Sequence, residues 1–277
     1  MKMLKNRTRA LLTSTIIAAL IGVTPLGGLA QGQTQGLTGA RDVLVKVLNL
    51  SNSGKLATKP AMAMLSGVAK GWELKSLGTL QPQPDKIMAI DANHAVGRTQ
   101  WLGKDGQTTD YYFYLVKEID DQWKVEDCRS LASIGVAWEA RKKLKAKKKL
   151  NAEQIYQINN MNLLLSSDAQ LNAWFKTNKG KLDALYRMAK AMPKPYPAMI
   201  RAADKRYGAI ASAIAALNLD SISMAETGEL QVILGGFDRD FVGLLYSERK
   251  GKLPPVSPRA WLWVEDLSGN WYLFRHT

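Results

Sequence analysis

Residues Phe113–Val125 read FYLVKEIDDQWKV, and residues Trp261–Leu273 read WLWVEDLSGNWYL. The two stretches align without a gap at an offset of 148 residues. Aromatic residues open both, Val116 matches Val264, Glu118 matches Asp266, Ile119 matches Leu267 and Trp123 matches Trp271. Each reads as a strand, a short polar turn (Asp120-Asp121, Ser268-Gly269) and a second strand that begins with Trp. An antiparallel hairpin thus closes each half of the chain, whether by internal repetition or because hairpins share this pattern.

Working outward, the first half is helical and then extended. Thr38 is placed to cap a helix carrying Val43, Leu44, Val47 and Leu48. Thr58 is placed to cap another, with Ala61, Met64, Leu65, Val68 and Trp72 on one face. Lys86–Ile90 and His94–Leu102 read as strands, and Asp105-Gly106 as a hairpin turn. The second half repeats the order. Asn151 with Gln154, and Ser167 with Gln170, have the capping-box spacing. Lys181–Met192 is expected to be helical. Met199, Ala203, Tyr207, Ile210, Ile214 and Leu217 recur at helical spacing. Strands are expected at 221–225, 230–234 and 241–246 before the final hairpin. The fold class is α+β in two domains, each with N-terminal helices packed on an antiparallel meander sheet: 36–130 and 151–277, joined by a basic connector at 131–150.

The first residues carry an address. Lys2, Lys5, Arg7 and Arg9 precede an uncharged, mostly apolar stretch from Leu11 to Val23, and Gly28-Leu29-Ala30 supplies small residues. This is the three-part pattern of a secretory signal peptide cleaved after Ala30. Its apolar core is about 13 residues, short of the roughly 20 that span a bilayer. Gln31 rather than Cys follows the site, and Thr8 separates the two arginines, which argues against lipoprotein and twin-arginine routes. The expectation is a periplasmic or secreted protein with no transmembrane anchor after cleavage. Cys128 is the only cysteine. It is expected to be a buried thiol, with an intermolecular bridge as the alternative.

The net charge is +14. The first 30 residues hold four basic and no acidic side chains, which leaves +10 beyond them. Arg141, Lys142, Lys143, Lys145, Lys147, Lys148 and Lys149 supply seven of those ten, so the rest is nearly balanced. Val136, Ala140 and Leu144 fall four apart, so the run is compatible with a solvated helix whose like charges repel. No aromatic side chain interleaves with it for base stacking, and export separates it from nucleic acid. The readings left for the run are a solvated connector and a contact with anionic lipid or polysaccharide, worth about 1 kcal/mol per basic residue near a charged surface. The other partners left open are a small apolar ligand and a second copy of the chain.

The sequence offers little chemistry. With only His94 and His276, no Cys/His cluster can hold zinc, and no metal or other cofactor is expected. No nucleophile elbow, phosphate-binding Gly-rich loop or acidic calcium loop is present. GGFDRD at 235–240 reads as a turn between strands. The catalytic candidates are Asp91 and His94 in IDANHAV, with Asp110 nearby in sequence, as an acid–base set if they share a pocket. The other reading of DAN is a polar bend. The eight tryptophans are expected to be mainly core, with some able to line a ligand cavity.

Residues Ala40–Arg129, with helices before long strands and the close DYYFYLVKEIDDQWKVEDCR, resemble the nuclear-transport-factor-2-like superfamily. That resemblance implies a cone of helices on a sheet around a pocket, used by isomerases, dehydratases and non-catalytic binding modules. The acid and base residues of the enzymatic members have no matching motif here. Residues 151–277 are similar to exported bacterial proteins of the conserved-hypothetical type. Together these features favour an exported, soluble, non-enzymatic binding or accessory protein of the cell envelope. The alternatives are a small-molecule isomerase or dehydratase with a pocket in the first domain, and an envelope protein that contacts anionic polymer through the basic run.

Overall fold

The computed structural model describes residues 37–71, 79–103, 108–131, 133–237, 240–249 and 253–277. The signal-peptide segment, Trp72 and the Asp105-Gly106 turn lie outside the described residues. The architecture is α+β with two antiparallel sheets.

The first sheet contains β1 (Thr79–Leu80), β2 (Lys86–Ala89), β3 (His94–Leu102), β4 (Thr108–Lys117) and β5 (Trp123–Arg129). β1 and β2 pair with successive stretches of β3, so together they act as one interrupted edge strand. Helix α1 (Leu37–Asn52) lies across this sheet and buries Ala40, Leu44, Val47 and Leu48. Strand alternation divides the neighbouring side chains. Phe113 and Leu115 of β4 pack with α1, whereas Tyr112 and Tyr114 point the other way. Gly97 of β3 permits the close approach, since a Cβ there would lie 2.3 Å from Leu44 Cδ2.

The second sheet runs in the order β10-β11-β9-β8-β7-β6. Its strands are β6 (Ile200–Arg201), β7 (Ser221–Met224), β8 (Leu230–Phe237), β9 (Asp240–Tyr246), β10 (Trp261–Ser268) and β11 (Trp271–His276). It departs from a simple meander, because the chain leaves β9, forms edge strand β10 and returns as β11 between them. Helices α3 (Ile134–Lys145), α4 (Ala152–Leu164), α5 (Asp168–Lys190) and α6 (Gly208–Ala216) belong to this half. Both expected capping boxes form, at Asn151 with Gln154 and at Ser167 with Gln170.

The expected boundary separates two sheets but not two cores. Val96, Tyr112, Tyr114 and Leu131 join one apolar cluster with Leu171, Phe175, Leu182, Trp263 and Trp271. The basic connector is likewise an ordered element: α3 packs beside α4 and buries Ala137.

Two helical expectations are corrected. After Thr58 only one turn forms, α2 (Lys59–Met62), followed by a 3₁₀ turn at Gly67–Gly71. Gly67 has φ +46°, and Leu65 pairs with Val125 as an isolated bridge, which draws the chain into the sheet. Val68 is consequently exposed. The Met199–Leu217 stripe is shared among β6, a 3₁₀ turn at Lys205–Tyr207 and α6, with the break at Gly208. The face of β11 turned away from the main core forms its own cluster. Tyr272 and Phe274 pack with Phe241, Leu245 and Val264, and Leu253 and Val256 of the β9–β10 connection pack against them. Cys128 is half-buried against the α1 core, and burial pushes its thiol pKa well up.

Candidate functional site

Where the halves meet, charge is buried. Arg98 of β3 donates through Nη1 to Asp168 at 2.7 Å and to Glu265 at 2.9 Å, and through Nε and Nη2 to Asp85. Arg275 of β11 donates through Nε to Asp168 at 2.8 Å and through Nη2 to the Ser166 carbonyl at 2.7 Å. Its Nη2 also lies 3.3 Å from Asp110. Tyr112 donates its hydroxyl to Asp168, and Lys86 pairs with Glu265. The Arg98 guanidinium rests 5.2 Å from the Trp263 ring centre. Asp168 is therefore the hub. It opens helix α5, where a carboxylate is favoured by the helix dipole.

The electrostatics follow from this geometry. Four carboxylates (Asp85, Asp110, Asp168, Glu265) face three cations (Lys86, Arg98, Arg275). Burial pushes Asp168 up, but Arg275 and Arg98 outweigh it and hold its pKa below the ordinary value. Asp110 shows the opposite balance. Burial and then the Asp168 charge push it up to about 6, against the two arginines. Burial works against the charges of Arg98 and Arg275, yet the carboxylates hold both guanidinium pKa values above normal. Every charged member has an opposite-charge partner, so the cluster acts as a latch between sheets rather than as a centre poised for reaction.

A polar cleft opens beside this latch. It encloses about 240 Å³ and is lined by Thr108 and Thr109 of β4, Ile134, Trp138 and Arg141 of α3, Asn162 of α4, Leu165, Ser166, and Gln170 of α5. The Arg141 guanidinium lies 4.1 Å from the Trp138 ring centre, and its Nη1 donates to Asn162 Oδ1 at 3.0 Å. Both contacts hold the guanidinium at the cleft. Arg141 is half-buried, and desolvation lowers its pKa. It has no carboxylate partner among the described residues, unlike Arg98 and Arg275. Lys142, Lys143, Lys145, Lys147, Lys148 and Lys149 are exposed beyond it.

No protein-family model, curated protein or solved structure matches the chain. The site rests on its own geometry. Among the described residues, no group of three or more His, Cys, Asp or Glu side chains could hold a metal ion. No described helix is long and apolar enough to cross a membrane.

The sequence-derived acid–base set does not assemble. Asp91 and His94 do pair, with His94 Nδ1 2.8 Å from Asp91 Oδ2, but both side chains are about half exposed at the bend between β2 and β3. Asp91 also accepts the backbone N–H groups of Asn93 and His94, which is the polar-bend reading. Burial pushes the Asp91 pKa up, and the hydrogen bonds from Asn93 and His94 with the His94 charge together outweigh it and hold it below the ordinary value. Asp110 is buried in the latch instead. Of the seven basic-run residues, Arg141 lines the cleft and the lysines face solvent.

Two residues of the latch and cleft carry faint signals in the sequence. Arg275 shares strand parity with Trp271 and Leu273, so an Arg on a core-facing register already implied a buried carboxylate. Trp138 precedes Arg141 by three residues, the helical spacing that brings two side chains together. Thr108, Thr109 and Asn162 have no such signal, and the capping-box spacing of Gln170 says nothing of the cleft, since three-dimensional packing alone joins them.

Proposed function

We propose that the chain is an exported, non-enzymatic binding or accessory protein of the cell envelope that engages an anionic polysaccharide through helix α3. Arg141 carries this reading: a half-buried cation without a carboxylate partner among the described residues, at the root of an exposed lysine run. A desolvated cation is costly unless paired, and a partner supplying negative charge relieves that cost. The basic N-terminal segment with its short apolar core supports export. Polysaccharide is favoured over lipid because a membrane-surface helix needs a wide apolar face. Ile134 and Ala137 of α3 pack into the core and Trp138 faces Arg141 in the cleft, which leaves the exposed Val136 and the half-buried Leu144 for that role.

The nuclear-transport-factor-2-like reading of residues 40–129 is part of the proposal, supported by one long helix laid across an antiparallel sheet. It supplies no pocket-based chemistry here. The space between α1 and the sheet is filled by Leu44, Leu48, Phe113 and Leu115, each nearly inaccessible.

The test is equilibrium binding to polygalacturonate, with dextran as the neutral control, over a salt series. Binding to the acidic polymer should weaken steeply with salt. Replacing the six lysines between Lys142 and Lys149 with Gln should abolish most of it. Equal binding to dextran, or a lysine variant that binds like wild type, contradicts the reading. Tighter binding to anionic vesicles than to polygalacturonate would assign the surface to lipid.

A further inference from the structure

We propose that the cleft at the root of α3 is a specific site for a single carboxylated sugar unit, anchored by Arg141. This deepens the polysaccharide reading and rests on it for the identity of the anion. The ligand class follows from the lining. Among the described residues no carboxylate lines the cleft, and Arg141 is the one charged side chain there. A guanidinium held by an indole ring and one amide oxygen suits a carboxylate, which can accept two parallel N–H bonds. One nitrogen is tied to Asn162, and the rest of the donor fork is left for a ligand. Asn162 uses its side-chain oxygen for Arg141, and Gln170 uses its own for the Ser167 N–H. Those two amides therefore keep their NH₂ groups for acceptors on a ligand. Thr108 and Thr109 add hydroxyl groups. Planar amides and hydroxyls around one aromatic wall match a hydroxylated ring better than an apolar one.

Size narrows the choice. The volume of about 240 Å³ falls below the roughly 300–1,000 Å³ typical of drug-sized ligands, so one ring fits and a longer segment does not. Trp138, Lys142 and Lys145 lie four and then three residues apart, so they share a face of α3. That face leads from the cleft to the exposed lysines. A polymer could therefore place one unit in the cleft and run its remaining carboxylates along the helix.

The experiment is calorimetric titration of the full chain with sodium galacturonate, at constant ionic strength, with galactose and acetate as controls. Saturable galacturonate binding is expected, with little heat from either control. Arg141→Gln should weaken it roughly tenfold or more, as loss of a charge-assisted pair implies. Arg141→Lys, which keeps the charge but loses the fork, should recover only part of it. Lys147→Gln/Lys148→Gln/Lys149→Gln should leave galacturonate affinity unchanged while weakening polygalacturonate. If the polymer binds but galacturonate does not, the cleft proposal falls and the polysaccharide reading stands. If galacturonate binds but the polymer does not, the cleft stands and the polymer reading falls. Acetate binding as tightly as galacturonate, or an Arg141→Gln variant with wild-type affinity and an unchanged melting temperature, overturns the sugar site.

Discussion

The phenolic hydroxyl of Tyr114 donates to the backbone carbonyl of Leu262 at 2.9 Å, joining the first sheet to the edge strand of the second. These two residues occupy equivalent places in the two matched hairpins, 148 positions apart. Both are buried. Tyr114→Phe keeps the ring and removes the donor, leaving a buried carbonyl unsatisfied. A loss of about 1–3 kcal/mol is expected, read as a lowered denaturant midpoint with an unchanged slope.

Asp110 sets a pH dependence. Its folded pKa, about 6, lies above its ordinary value of 3.8. The stability it confers is therefore full below the ordinary value and is lost as pH rises through about 6. Asp168 has the opposite sign, with stability present above its ordinary value and lost as pH falls through its lowered folded pKa. Between pH 4 and 7 the chain should lose on the order of 3 kcal/mol through Asp110 alone. Asp110→Asn, which resembles the protonated acid, should flatten that slope and be the more stable protein at pH 7. Asp168→Asn should also shrink the slope in part, because burial still raises Asp110 but the neighbouring charge that adds to it is gone. Thermal melts across this range read both effects.

Strand β11 is structural. Trp271, Leu273 and Phe274 are fully buried, and Arg275 ties the latch. Thr277 donates its N–H to Ala260 O and its hydroxyl to Asp240, whose other oxygen accepts the Ser133 N–H at the start of α3. Deleting Trp271–Thr277 removes three large side chains worth about 1.5–3 kcal/mol each, against total stabilities of about 5–15 kcal/mol. The truncated chain should fail to accumulate as a folded protein. Normal yield with an unchanged melting temperature would show that β11 is dispensable.

Limited trypsin digestion should cut first at Lys147–Lys149. These residues are exposed and follow the end of α3, whereas Arg141 and Lys142 lie within the helix. Mass spectrometry of the first fragments reads the site. Full protection of this stretch would contradict the exposed placement.

Local signals were legible and distant ones were not. The capping boxes at Asn151 and Ser167 could be read because each involves four consecutive residues. The strands from His94 and Trp271 could be read because each is a short run with apolar and aromatic residues next to turn residues, Asp91–Asn93 and Ser268–Asn270. The Met199–Leu217 stripe misled, since apolar residues at helical spacing also arise when a short strand, a 3₁₀ turn and a short helix line one core. The latch was hidden for another reason. Arg98, Asp168 and Arg275 stand 70 and 107 positions apart, and no local pattern announces such a meeting. The cleft was half visible: the basic run drew attention, but its value as a contact depended on Trp138 and Asn162 holding its first residue in place.

The most direct test of anion recognition at α3 is a ¹H–¹⁵N spectrum that resolves the Arg141 Nε–H and the tryptophan indoles, recorded during titration with sodium galacturonate. The Arg141 and Trp138 signals should move together and saturate, while the indoles of Trp263 and Trp271, tied to Glu265 and Asp183 in the core, stay fixed. Signals of Arg141 and Trp138 that remain still, or that drift with the core indoles without saturating, would contradict it.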